Sequence, residues 1–155
     1  VALVSIGVKL LGVPEFEAAL KAMTAAADAA TRAAVAQGGH LIESETKKNL
    51  SIGSHGRGEP TTSAPGTPPD LVTGGLRRSV KVDGPTNTGP YTWTSSTGPT
   101  AVYGRIQEMG GVTGRGGATV LPARPYLGPA LQGLITSGQL GRVYTDAWRA
   151  AISRP

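Results

Sequence analysis

The stretch PEFEAALKAMTAAADAATRAAVAQGGHLIESETKKNL, residues 14–50, decides the fold. Its apolar residues recur at steps of three and four: Phe16, Leu20, Met23, Ala27, Ala30, Ala34 and, after a gap, Leu41. That spacing predicts one long helix with a continuous apolar stripe. Pro14 suits the first turn, where its missing N–H would have found no partner, and Glu15 and Glu17 sit favourably at the positive end of the helix dipole. The stripe is mostly alanine, so a neighbouring element can approach closely while little apolar area is buried per turn. Gly38-Gly39 interrupts it, each glycine costing about 1 kcal/mol relative to alanine; the sequence leaves open whether the helix runs through or bends there before resuming at Leu41, Ile42, Lys47 and Lys48.

Upstream, Ala2, Val4, Ile6, Val8 and Leu10 alternate with Ser5, Gly7 and Lys9, the pattern of a strand. It has no basic leading region, and no uncharged apolar run reaches membrane-spanning length, so a soluble, unexported chain is expected. Downstream, Ser51 to Leu71 is crowded with Gly53, Gly56, Gly58, Pro60, Pro65, Gly66, Pro68 and Pro69, which can neither propagate a helix nor pair as a central strand. It reads as a long loop ordered by a neighbour. Thr73 to Ser79 closes it as a turn; Ser79–Asp83 and Tyr91–Ser95 read as an antiparallel hairpin, with Tyr91 and Trp93 on one face; Ala101–Tyr103 reads as a further short strand. One or two helical turns are expected at Arg105–Met109. Gly110–Leu121 is a second glycine-rich excursion that can form a projecting hairpin. From Pro125 the helical pattern returns and breaks at Ser137-Gly138, with Ser137 as N-cap of the final helix.

These pieces predict an α+β fold over residues 1–155 as one domain: a long N-terminal and a C-terminal helix on a small, mainly antiparallel sheet of about four strands, with extended loops or arms at 51–72 and 110–121. Composition sets the limits. Glycine and proline make up 23 and 12 of 155 residues, and Phe16 is the only phenylalanine, so no large aromatic core is available. The absence of cysteine excludes disulfides, thiolate metal sites and thiol catalysis, and fits a reducing cytosol. The net charge of +5 favours anionic neighbours, but its basic residues are scattered.

Catalytic chemistry is thinly supplied. His40 and Glu43 lie one helical turn apart, an incomplete metal site, and His55 sits between loop residues where a base would be poorly held. No nucleophile elbow, phosphate-binding loop or dinucleotide fingerprint occurs. No cofactor and no enzymatic activity are expected. Arg77, Arg78, Lys47, Lys48, Arg57 and Arg115 are a candidate phosphate-gripping set, weighed against inter-subunit ion pairs because aromatic stacking platforms are few. Trp93, Tyr126 and Trp148 read as core or interface anchors.

Three ordered motifs, Thr73-Gly74-x-Leu76-Arg77-Arg78-Ser79, Tyr103-x-x-Ile106-x-Glu108-x-Gly110 and Pro122-Ala123-Arg124-Pro125-Tyr126-Leu127-x-Pro129-Ala130, resemble the tailed-phage neck and tail-completion family, which includes the lambda-type minor tail protein Z. The resemblance covers nearly the whole chain. It implies a structural virion protein at the head–tail junction, assembled in the host cytoplasm, forming a ring of six copies between the connector or stopper below the portal and the tail terminator or tail tube. DNA would pass through its channel without sequence-specific recognition. It implies structural roles for the motif residues: Gly74 as the turn ending the long loop, Leu76 as a core plug, Arg77 or Arg78 facing outward, Tyr103 and Ile106 packing the short helix, Glu108 offering a carboxylate beside a glycine turn, and Tyr126 and Leu127 anchoring the last helix to the sheet. Arg115, Arg124 and Pro125 complete the candidate interface. A tail terminator or head-closing stopper is the alternative within the particle, and a basic nucleic-acid-binding protein the alternative outside it.

Overall fold

A computed structural model describes residues 11–59 and 63–153; the strand expected at Ala2–Leu10 lies outside them. The architecture is α+β. Helix α1 (Val13–Asn49) runs 37 residues without a break, about 55 Å at 1.5 Å per residue. A short helix α2 (Gly75–Ser79) feeds the hairpin β1 (Val80–Gly89) and β2 (Thr92–Pro99). Helix α3 (Gly104–Met109) leads into a second hairpin, β3 (Gly111–Thr113) and β4 (Thr119–Leu121), whose tip carries a 3-10 turn at Arg115–Gly117. Helices α4 (Leu127–Thr136) and α5 (Gln139–Ile152) follow.

The Gly38-Gly39 pair marks a crossing point rather than a bend. A Cβ on Gly39 would stand 2.7 Å from Ser95 Oγ and 2.9 Å from Val82 Cγ1, so only glycine lets the β1–β2 hairpin lie directly on the helix. Thr97 Oγ1 donates to the Gly39 carbonyl at 3.1 Å across the same contact. On Gly38 a Cβ would meet Leu140 Cδ2 of α5 at 3.7 Å, ordinary van der Waals contact. The second half of α1 is thereby the spine on which β1, β2, α4 and α5 pack.

The sheet differs from expectation. Among the described residues there are two separate antiparallel pairs, β1 with β2 and β3 with β4, instead of one sheet of about four strands. β1 extends beyond Asp83 to Gly89 with a register shift between Asp83 and Thr86, where a connection was expected. Ala101–Tyr103 forms a turn, not a strand: Gly104 N–H donates to the Ala101 carbonyl at 2.8 Å, and this closes the chain into α3. Thr73–Ser79 is turn and then helix, since Gly74 at φ 70° takes the left-handed conformation that starts α2. Ser137 ends α4, its hydroxyl donating to the Leu134 carbonyl; left-handed Gly138 starts α5 in the capping role expected of Ser137.

The core is small. Leu50, Val80 and Tyr126 form its centre, with Leu76 and Leu127 packed against it; Ala30, Ala34, Ala130 and Leu134 are buried along the helical interface. The first turns of α1 do not reach it: Phe16, Leu20 and Met23, expected in the core stripe, are 68, 48 and 56 % exposed. Among the described residues only Tyr91 of the hairpin and the end of α5 reach this end of the helix, meeting it at a recess around Met23 and Ala27 that leaves most of each large side chain exposed.

Candidate functional site

The second and third motifs meet at Tyr126, and Leu76 of the first packs against the core that Tyr126 forms with Leu50 and Val80. Its ring is fully buried, its hydroxyl donates to the Gly104 carbonyl at 3.0 Å, and its own carbonyl accepts from Asn49 Nδ2 at 2.9 Å. One residue therefore ties the end of α1, through its backbone carbonyl, and the start of α3, through its hydroxyl, to the start of α4. Gly104 has to be glycine: a Cβ there would stand 2.4 Å from Pro99 Cγ and 3.2 Å from the Tyr126 hydroxyl oxygen. Burial, with the Glu108 charge as a lesser contribution, pushes the Tyr126 phenol up to about 12.

Glu108 supplies the second tie. Its Oε2 accepts from the backbone N–H groups of Tyr126 and Leu127 at 2.8 and 3.0 Å, and its Oε1 accepts from Gly128 at 2.8 Å. Helix α4 has no capping side chain of its own at Tyr126, so a carboxylate from α3 satisfies the orphan donors of its first turn and faces its positive dipole end. The backbone joins the same elements nearby, where Arg124 N–H donates to the Gln107 carbonyl at 2.7 Å.

The long loop is tied to this knot by hydrogen bonds within the chain. Gly66 N–H donates to the Ala123 carbonyl at 2.8 Å, and Arg124 Nε donates to the Ser63 carbonyl at 3.0 Å. Leu71 N–H closes its base on the Gly53 carbonyl at 2.7 Å. Beside it lies an open cavity of about 180 Å³, lined among others by Leu50, Leu71, Gly74, Leu76, Arg77 and Tyr103.

Other candidates fall in different places. Leu76 is half-buried against the core, as expected, and Ile106, Pro125 and Leu127 are also half-buried. Tyr103, expected to pack the short helix, is 46 % exposed and starts α3 instead, its hydroxyl reaching across to Gly75 of α2 at the wall of that cavity. Arg77 and Arg78 face outward and donate to their own chain, Arg77 Nε to the Lys47 carbonyl at 3.3 Å and Arg78 Nη1 to the Thr73 carbonyl at 2.9 Å. Lys47 pairs with Glu43 at 2.6 Å and Lys48 with Glu45 at 2.7 Å. Of the candidate phosphate-gripping set, four residues thus have partners within the chain, while Arg57 and Arg115 stand exposed, Arg115 on the tip of the second hairpin.

His40 Nδ1 does lie 3.2 Å from Glu43 Oε2, and the hydrogen bond from Lys47, followed by that from His40, holds the Glu43 carboxyl below its ordinary value. The three make a helix-surface cluster, and no group of three or more metal-ligating side chains occurs among the described residues. Two partners escaped the sequence reading. Asp28 Oδ1 accepts from Trp93 Nε1 at 2.8 Å, with the Arg32 guanidinium 5.3 Å from the indole centroid, and Asn49 holds Tyr126. Both are polar residues on an otherwise alanine-rich helix, a signal visible in sequence but without an address. No helix among the described residues is long and apolar enough to cross a membrane. The chain matches no family model, no curated protein and no solved structure.

Proposed function

We propose that this chain is a structural virion protein of a tailed phage, one that binds and orders its neighbours at the head–tail junction and performs no catalysis. In this reading copies form a ring, with six expected, between the connector and the tail, around a channel through which DNA passes. The observation that carries the proposal is that the second and third motifs are tied together at Tyr126, while the first packs its Leu76 against the same small core. Residues that resemble the neck-family pattern are spent on holding α1, α3 and α4 in a fixed relation, which is what a scaffold requires and a reaction centre does not. The exposed second hairpin, with Arg115 at its tip, supplies an arm suited to a neighbouring subunit.

Electron microscopy of particles made without this chain tests the proposal. Filled heads beside unattached tails of normal length are the expected result. Heads that have lost their DNA would reassign it to a stopper, abnormal tail lengths to a terminator, and intact infectious virions would overturn the reading.

A further inference from the structure

The first half of α1 carries both a knob and a hole on one face. Phe16, Leu20, Met23 and Ala27 recur at helical spacing, and the stripe runs into an apolar recess of about 310 Å³ walled by Met23, Ala27, Tyr91, Trp148 and Ile152. Tyr91 is 63 %, Trp148 39 % and Ile152 61 % exposed at its rim. Phe16 stands eight residues before Thr24, which also lines the recess; that is about 12 Å along the helix.

We propose that this face is a two-fold contact between two copies of the chain, with the α1 helices antiparallel and Leu20 beside the axis. A two-fold there sends each Phe16 towards the recess of the other copy, so one operation fills both holes with both knobs. Because knob and hole share one face of one helix, a head-to-tail arrangement would bring two neighbours onto the same short stripe; an isologous contact avoids that crowding. Charge agrees: Glu17 and Lys21 flank the stripe, and the antiparallel pairing places each Glu17 beside the other copy's Lys21. So does area. Taking about 150–250 Å² for a whole large side chain, the exposed fractions of Val13, Phe16, Leu20, Met23, Tyr91, Trp148 and Ile152 amount to roughly 700 Å², near the roughly 800 Å² per partner of a stable interface. The pairing is independent of the ring reading, since it joins two chains or two rings face to face and is measured on the isolated protein.

The test is the solution mass of the full chain by sedimentation and native mass spectrometry, with Phe16→Asp and Leu20→Cys variants. The expected result is a two-chain species that Phe16→Asp weakens by about thirty-fold or more, as loss of a central aromatic anchor does. Phe16 is largely exposed, so folding of that variant is checked by its unchanged circular dichroism. The chain has no other cysteine, so Leu20→Cys treated with a disulfide oxidant should cross-link into dimers, whereas Arg57→Cys, away from the face, should not. A monomer at high micromolar concentration, an oligomer indifferent to Phe16→Asp, or equal cross-linking of the two cysteine variants would each overturn the proposal.

Discussion

Glu108 bears more of the fold than its place beside a glycine turn suggests. Three backbone N–H groups of the first turn of α4 converge on its two oxygens, and nothing else at that helix start substitutes for them. Removing the carboxylate leaves the Tyr126 and Leu127 donors half-buried and unpaired, and the donor of exposed Gly128 to water. Glu108→Ala should therefore cost about 2–3 kcal/mol, the range for hydrogen bonds to a charged group, while Glu108→Gln, which keeps one acceptor oxygen, should cost less. Urea denaturation of the two variants against the parent checks this; equal loss in both would mean that charge rather than acceptor geometry holds the helix. The carboxylate was legible in sequence as a motif residue, but its partners lie eighteen to twenty residues on, and no spacing rule joins them.

At the scale of the element, α1 is two helices in one. Beyond about Ala30 it is the spine of the fold; from Val13 to Met23 every residue is exposed, and Thr24 to Asp28 mark the passage between the two. The adjacent glycines separate two effects that propensity alone would merge. Gly38→Ala adds a methyl at ordinary contact distance and should stabilise by about 1 kcal/mol through helix propensity. Gly39→Ala gains the same propensity but drives a methyl into Ser95 and Val82, and overpacking of that kind costs about 1–3 kcal/mol, so it should be neutral to destabilising. Thermal denaturation of the pair decides it: equal stabilisation by both would mean that the hairpin does not lie as close to the helix as the geometry places it. The helix itself was readable from its period. Which glycine is obligatory was not, because that depends on an element more than forty residues away in the chain.

For the whole molecule, stability rests on a core of few large side chains, with Tyr126 at its centre, and this makes the fold sensitive to alkali. The folded chain holds the Tyr126 phenol neutral up to about pH 12, against an ordinary value of 10.0, because its ring is buried. The corresponding stabilisation is complete below pH 10, and it is lost as pH rises through about 12, where the folded state must also ionise. Tyrosinate absorbance should show a component titrating near pH 12 that Tyr126→Phe removes, and the variant's stability should fall less steeply over that range. A parent titration without such a component would mean that the ring is open to solvent. The α+β class and the long helix followed from periodicity. The merger of strands into one sheet did not occur, because Gly110 and Gly111, both at positive φ, turn the second hairpin out as a separate arm.

Local rules determined what is local here: the 3.6-residue period and Pro14 made α1, the glycine pairs punctuated the chain, and Tyr126 stood out as an anchor because large side chains are scarce. The tertiary structure alone decided which apolar positions of α1 are buried, since Phe16 and Ala34 lie on comparable helical stripes and differ only in whether another element crosses them. It also decided that Glu108, Gly104 and Asn49 converge on one tyrosine. Contacts of that kind join residues far apart in the chain, and their energy depends on approach distance, which no pattern along the sequence encodes.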